Sequence, residues 1–255
     1  MTDQSGGYDP AFYELLYAAE DTHFWFKSRN QVIAALTSGA VSGLAPGYRV
    51  LEFGCGDGNV IRFLQSSCPD GIVVGMDLFE EGLRYARKRG AANLVQADVL
   101  KAPFAKKFHV VGMFDVLEHI PDDSGVLRQV FDLLEPGGTL LLTVPAHPAL
   151  WSYFDEASHH CRRYTTSELR GKLQAAGFSI DYLSQYMMPL FPLMWLNRRL
   201  SGLQRRGASE MAQKEFRINP LVNAVMNVLI GAERPLLARR WRLPMGTSLV
   251  AVARR

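Results

Sequence analysis

Between Tyr48 and Val144 short apolar runs alternate with amphipathic stretches, and this alternation constrains the fold more than any other feature of the chain. Arg49–Phe53, Gly71–Met76, Asn93–Gln96, His109–Asp115 and Thr139–Val144 read as strands. Asn59–Ser66, Glu80–Arg89 and Asp122–Leu134 read as the helices between them. Short, continuously apolar strands joined by helices belong to a parallel sheet buried on both faces. The expected class is therefore α/β, a doubly wound and mostly parallel sheet with ligands at the carboxyl ends of its strands.

Beyond Pro145 the pattern changes. A polar loop rich in histidine and aromatic residues (146–164) precedes a helix starting near Thr165, with Thr166 or Ser167 expected as its cap. Gly177 stops that helix, Ser179–Tyr186 reads as a sixth strand and Thr247–Ala253 as a seventh. Three parts are expected: an N-terminal helical lid (1–45), an α/β domain (46–186 and 243–255), and a basic, apolar helical insertion (187–242).

Charge is divided between these parts. Residues 1–186 carry 16 Lys+Arg against 22 Asp+Glu, whereas residues 187–255 carry 12 against 3. A basic segment of that kind faces something anionic. The composition, 48% hydrophobic and 21% charged, excludes a disordered chain, a collagen-like fibre and a polytopic membrane protein. Cys55, Cys68 and Cys161 are an odd set without CxxC spacing, so neither a disulfide framework nor a metal site is expected, and a reducing compartment is. No signal peptide is visible in MTDQSGGYDP, and no run of about 18 apolar residues suggests a spanning helix. The expected address is the cytoplasm.

The segment VLEFGCGDGN (50–59) leaves the first strand and enters a helix. Its glycines at 54, 56 and 58 permit a sharp turn and close approach of a ligand to the backbone. The spacing is GxGxG rather than the GxGxxG of dinucleotide sites, and no lysine or arginine is present to meet a phosphate. Acids recur at strand ends instead. Glu52 precedes the turn, Asp77 ends the second strand where a carboxylate can accept from ribose hydroxyls, and Asp98 follows the third, placed to accept from an adenine amino group. Each acid alone is an ordinary turn residue. Their order at βαβ spacing, ahead of Glu135-Pro-Gly-Gly138, is not.

In these motifs the chain resembles the class I S-adenosylmethionine-dependent methyltransferases. VLEFGCGDGN is similar to that family's first motif, Asp77 to its ribose-binding acid, QADV to its adenine-site motif, and FDVLEHIP and LLEPGGTLLLTVP to its fourth- and fifth-strand motifs. The resemblance implies a Rossmann-like, seven-stranded sheet with the last strand antiparallel. It implies S-adenosylmethionine as cofactor and S-adenosylhomocysteine as product. It places Glu52, Gly54, Gly56, Asp77, Leu78, Asp98, Val99 and Phe114 around that cofactor, with Cys55 as a small packing residue of the same loop.

The loop after the fifth strand resembles that of a subgroup with an acid, a histidine and then RRY. His160 is the candidate base, with Glu156 or the adjacent Asp155 as its orienter. His147, Trp151, Arg163 and Tyr164 in the same loop, and Trp25 in the aromatic N-terminal segment, are candidate acceptor contacts. Each also has a structural reading, His160 and Arg163 as pins of the loop and Tyr164 as a buried tyrosine with one partner.

In the insertion, YMMPLFPLMWL (186–196) is nearly unbroken apolar sequence, made a poor helix by Pro189 and Pro192 and followed by arginines. Asn219-Pro220 caps a second helix carrying Leu221, Val222, Val225 and Leu229, ahead of Arg234, Arg239, Arg240 and Arg242. An anionic membrane surface, a lid over a lipid-like acceptor and a homodimer interface are all open. Nucleic acid is disfavoured, because stacking aromatics are not interleaved with the basic residues. The expected function is methyl transfer to a small-molecule acceptor, hydrophobic or lipid-linked, with O-methylation favoured. The alternatives are a non-catalytic S-adenosylmethionine-binding module serving a partner protein and, ranked lower, a nicotinamide-dependent oxidoreductase.

Overall fold

The structure is a computed structural model that describes residues 10–200 and 218–255. Its seven strands are β1 (Arg49–Phe53), β2 (Ile72–Asp77), β3 (Leu94–Gln96), β4 (Phe108–Phe114), β5 (Leu134–Pro145), β6 (Ser179–Tyr186) and β7 (Ser248–Arg254), in the order β3-β2-β1-β4-β5-β7-β6. The pairs from β3 to β5 are parallel, and β7 is antiparallel to both its neighbours. This is the doubly wound class I methyltransferase topology.

The helices are α1 (Pro10–Ala19), α2 (Phe24–Val41), α3 (Asn59–Ser67), α4 (Glu80–Lys88), α5 (Asp123–Leu133), α6 (Tyr153–Ala157), α7 (Thr166–Ala175), α8 (Leu190–Leu200), α9 (Pro220–Gly231) and α10 (Arg234–Ala238). Alternation along the strands divides the core between the two faces. Val50, Val110, Leu141 and Val250 pack with Ile33, Leu36, Ile61, Met226 and Leu237, from α2, α3, α9 and α10. Leu51, Val111, Leu140 and Ala251 pack on the other face with Leu127, Val130, Leu169 and Leu173, from α5 and α7. Both faces being apolar is why the strands read as continuous runs.

Three local expectations are corrected. β5 starts at Leu134 instead of Thr139, because the chain passes through Glu135–Gly138 with Gly137 at φ 76° and resumes pairing after a register shift against Phe108 and Val110. The cap of α7 is Thr165, whose hydroxyl accepts from the Glu168 N–H at 3.1 Å. α8 forms despite its prolines, since Pro192 lies in the first turn, where an N–H has no intrahelical acceptor to lose. Asn219 caps α9 with Pro220 at its first position, as the sequence predicts.

The loop that follows β5 is anchored from below by Asp123, at the start of α5. Its buried carboxylate accepts from Arg162 Nη1 at 2.8 Å, Lys172 Nζ at 2.8 Å and the Tyr164 hydroxyl at 2.9 Å. Burial alone would raise the pKa of Asp123; the bonds from Lys172 and Tyr164 and the charge of Arg162 outweigh it and hold the group below the usual aspartate value. A depressed carboxylate contributes stability that is present above its unfolded pKa and lost as pH falls through the folded one. Asp123→Asn is therefore expected to lower stability at neutral pH and to flatten its decline below about pH 4, where aspartate normally titrates. Urea unfolding across that range checks both effects.

Candidate active site

A cavity of about 870 Å³ lies over the carboxyl ends of β1, β2 and β4, within the size range of small-molecule sites. One half of its wall comes from the glycine turn and the strand-end acids. Gly54 sits at φ 66°, and a Cβ there would meet Val116 Cγ2 at 2.5 Å. Gly56, at φ 50°, has open space where a Cβ would stand, and its N–H donates to Asp77 Oδ2 at 2.8 Å. Asp77 Oδ1 accepts from the Phe79 N–H at 2.9 Å. That carboxylate therefore fixes the turn as well as facing the cavity, and burial raises its pKa against those backbone bonds. Asp98 uses Oδ1 to accept from the Leu100 N–H at 2.9 Å.

Glu52 differs from these. It is 2% exposed, and its Oε2 has no hydrogen-bond partner among the described residues. Burial pushes its pKa well above the usual carboxylate range, and the Arg29 charge only partly offsets the effect. A buried acid of this kind suits a ligand that brings positive charge. Leu78, Val99 and Phe114 complete this half of the wall together with Cys55, whose thiol burial pushes well up and so makes unreactive.

The other half comes from the loop after β5. Ser152 caps α6, and Asp155 at its third position reaches back to the Ser152 N–H at 2.8 Å. That turn brings Asp155, fully buried, to His160 Nδ1 at 2.8 Å and to Arg163 Nε at 2.7 Å. His160 is thereby oriented with Nε2 at 4.0 Å from Glu118 Oε1 and its ring edge-on to His119, 4.7 Å away. Burial and the neighbouring His160 lower the pKa of His119 to about 3, so it is neutral at neutral pH. Burial, then the charge of Asp115, raise Glu118 well above its usual value.

The sequence profile of the methyltransferase domain matches residues 17–183. The chain belongs to the methyltransferase-domain family. It is 30% identical over 178 residues to a ubiquinone biosynthesis O-methyltransferase of Xanthomonas campestris pv. campestris, covering 62% of this chain and 72% of that one. A ubiquinone biosynthesis O-methyltransferase of Psychrobacter arcticus is 29% identical over 180 residues, 62% and 69% of the two chains. An S-adenosylmethionine-dependent methyltransferase structure from Mesorhizobium loti shares the fold, with TM-score 0.55 at 20% identity over 86% and 95% of the two chains. The protein is accordingly a methyltransferase-domain protein with the Rossmann-like fold of that structure.

In this methyltransferase the cavity brings together all the residues singled out for the cofactor, along with His160, Trp25 and Arg163. It leaves out four others. Glu156 follows Asp155 by about 100° of helix and is exposed, so Asp155 is the orienter. His147, in a left-handed conformation at φ 58°, bonds Gln185 Oε1 at 2.6 Å away from the cavity. Trp151 lies on the surface, and Tyr164 is wholly buried beneath the loop on Asp123.

Sequence reasoning missed the ion pairs that hold the N-terminal segment over the cavity. Arg29 Nη1 meets Asp115 Oδ2 at 3.0 Å and lies against Trp25, 4.9 Å from its ring centre. Arg89, 3% exposed, bonds Glu20 at 3.1 Å and Asp57 at 2.9 Å, and stacks on Tyr17. It also missed that Glu118, His119 and His160 present ligand atoms within 4.8 Å of one another, a donor set able to hold a divalent cation.

Tyr164→Phe separates the two readings of that residue. It removes one hydrogen bond to a charged group, so stability is expected to fall by about 1.5–3 kcal/mol while acceptor KM stays unchanged. Denaturant titration and steady-state kinetics measure the two quantities.

Proposed function

We propose that the cavity binds S-adenosylmethionine and that the enzyme methylates a hydroxyl group on a small, largely apolar acceptor. The observation that carries this reading is the pairing of His160 Nδ1 with the buried Asp155 at the wall facing the glycine turn. The Asp155 carboxylate fixes the imidazole so that Nδ1–H donates to it and Nε2 is left to accept a proton. The acceptor's hydroxyl proton moves to that nitrogen as its oxygen becomes nucleophilic. Bound S-adenosylmethionine supplies the electrophilic methyl group. Neutral His119 adds no competing charge beside His160, and Arg163 is held by the same aspartate, so the base is oriented from both sides. Orientation and exclusion of water supply most of the acceleration in such a transfer.

For the cofactor we assign Asp77 to the ribose hydroxyls, Asp98 to the adenine edge, and Glu52 to the positive end of the amino-acid portion. Of the N-terminal segment, the stretch from Leu16 to Arg29 covers the cavity, held through Arg29 and Arg89, while the rest of α2 belongs to the core. The apolar side chains Phe154, Leu190, Met194 and Ile218 at the wall favour an acceptor with an apolar portion. The relatives named as ubiquinone biosynthesis O-methyltransferases support oxygen as the atom methylated.

Release of S-adenosylhomocysteine over a panel of phenols bearing apolar chains tests the activity; cofactor binding without release across that panel supports the silent binding module instead. His160→Ala is expected to reduce kcat by about 10²- to 10⁴-fold with cofactor affinity intact, and an unchanged rate rejects the base assignment. Asp77→Ala is expected to show the converse, a loss of about 1–3 kcal/mol in cofactor binding by calorimetry. A second reading, a cation held by Glu118, His119 and His160, rests on their convergence. It requires turnover to vanish in EDTA and return with added metal, whereas the base reading requires indifference to EDTA.

A further inference from the structure

Helix α9 is apolar on its outward face as well as its inward one, unlike an ordinary surface helix. Its two asparagines face the protein: Asn223 Oδ1 accepts from the Phe24 N–H at 2.8 Å, Asn223 Nδ2 donates to the Thr22 carbonyl at 2.9 Å, and Asn227 bonds back to Asn223. Its outward face is Leu221, Val222, Val225, Val228 and Leu229, with Leu221 73% and Val228 74% exposed. An apolar stripe of that kind is what a soluble surface avoids unless something covers it. α8 repeats the arrangement. Leu190 and Met194 line the cavity, while Leu193, Trp195 and Leu196 are exposed, with Arg199 4.4 Å above the Trp195 ring. Trp241 is 62% exposed between the exposed Arg240 and Arg242.

Charge complementarity decides what covers this surface. Arg254 and Arg255 lie at the far edge of the sheet, but residues 187–242 alone carry 10 Lys+Arg against 3 Asp+Glu, a strong positive excess. One of the three acids, Glu233, is withdrawn from solvent, accepting from the Met187 and Met188 N–H groups at 2.7 Å each. Two copies packed through this face would set like charges against each other, whereas anionic headgroups neutralise them. Pro220–Ala238 has the length and mean hydropathy, 1.3, of a membrane-crossing helix. Yet Met226, Ile230 and Leu237 are packed into the α/β core, so the segment lies along the protein instead of leaving it.

We infer that the exposed faces of α8–α10, with their arginine border, form a docking surface for an anionic lipid bilayer. Apolar burial and headgroup attraction add in such a contact. The profile match to the methyltransferase domain ends at residue 183, so this surface lies beyond the family's shared part. It also lies beside the cavity mouth, since Leu190, Met194 and Ile218 belong to the same stretch of chain. A bilayer seated there delivers an apolar acceptor to the cavity; that consequence rests on the methylation proposed above, and the docking does not.

The test is co-sedimentation of the full chain with vesicles of phosphatidylcholine and phosphatidylglycerol, against vesicles of phosphatidylcholine alone. Binding is expected to the anionic vesicles, weakening as salt rises. Val225→Asp with Val228→Asp is expected to cut partitioning by about tenfold or more without altering the melting temperature. Should that variant misfold, quenching of tryptophan fluorescence by bromine-labelled lipid, compared between the wild type and Trp195→Phe with Trp241→Phe, reads those two of the four rings. Wild-type protein that stays in the supernatant, or a dimer in sedimentation velocity that the double substitution dissolves without any vesicle binding, overturns the inference. Vesicle binding is read without turnover, so an enzyme that binds vesicles but methylates nothing sinks only the functional proposal.

Discussion

Glu52, Asp77, Glu118 and Asp155 are among the carboxylates buried at the carboxyl edge of the sheet, and the rest of the site is arranged around compensating them. An ionised carboxylate taken out of water without partners is among the costliest things a fold can contain. Asp77 and Asp155 have both oxygens engaged, the first by the backbone N–H of Gly56 in the glycine turn and that of Phe79 after β2, the second by Ser152, His160 and Arg163. Glu52 and Glu118 each keep one oxygen without a partner. The satisfied pair gives rigidity. The unsatisfied pair, whose pKa values burial raises, leaves polar oxygens that a ligand inside the cavity can answer.

The same compensation explains how the N-terminal segment is held. Arg29 comes from α2 and Asp115 from the end of β4, in a left-handed conformation at φ 57°. Arg89, from the end of α4, receives Glu20 from beyond α1 and Asp57 from the glycine turn. Removing one member of a buried ion pair costs about 3–5 kcal/mol because the other charge is stranded. The segment is therefore pinned by two arginines as well as by apolar contact, each of them stacked on an aromatic ring.

Much of this was legible in sequence where the information is local. Strands buried on both faces announce themselves as apolar runs, and a strand-end acid needs only its own strand to be placed, so Glu52, Asp77 and Asp98 could be found. The orienter of His160 could not be settled the same way, because Asp155 and Glu156 are adjacent acids and only the capping of α6 by Ser152 decides which one turns inward. Arg29–Asp115 spans 86 residues and Glu118–His160 spans 42, beyond any spacing rule. α9 was readable as a helix but not in its orientation. A helix apolar on nearly every side carries no phase, and asparagines usually mark the wet face, whereas here Asn223 bonds the start of α2 and Asn227 bonds back to Asn223.

The position of the insertion follows from topology rather than chance. β7 is antiparallel to β5 and β6, so β6 runs parallel to β5 and ends at the same edge. Ser248 opens β7 opposite both Pro145 and Tyr186, at the edge where the parallel strands leave their carboxyl ends. A chain inserted between Tyr186 and Ser248 must therefore begin and finish over the cavity, and Thr247 and Ser248 do line it. Such a segment has one face toward the ligand and one toward whatever lies outside. When its outer face is apolar and its border cationic, a sheet enzyme acquires a lipid-facing mouth without any change to the strands that hold its cofactor.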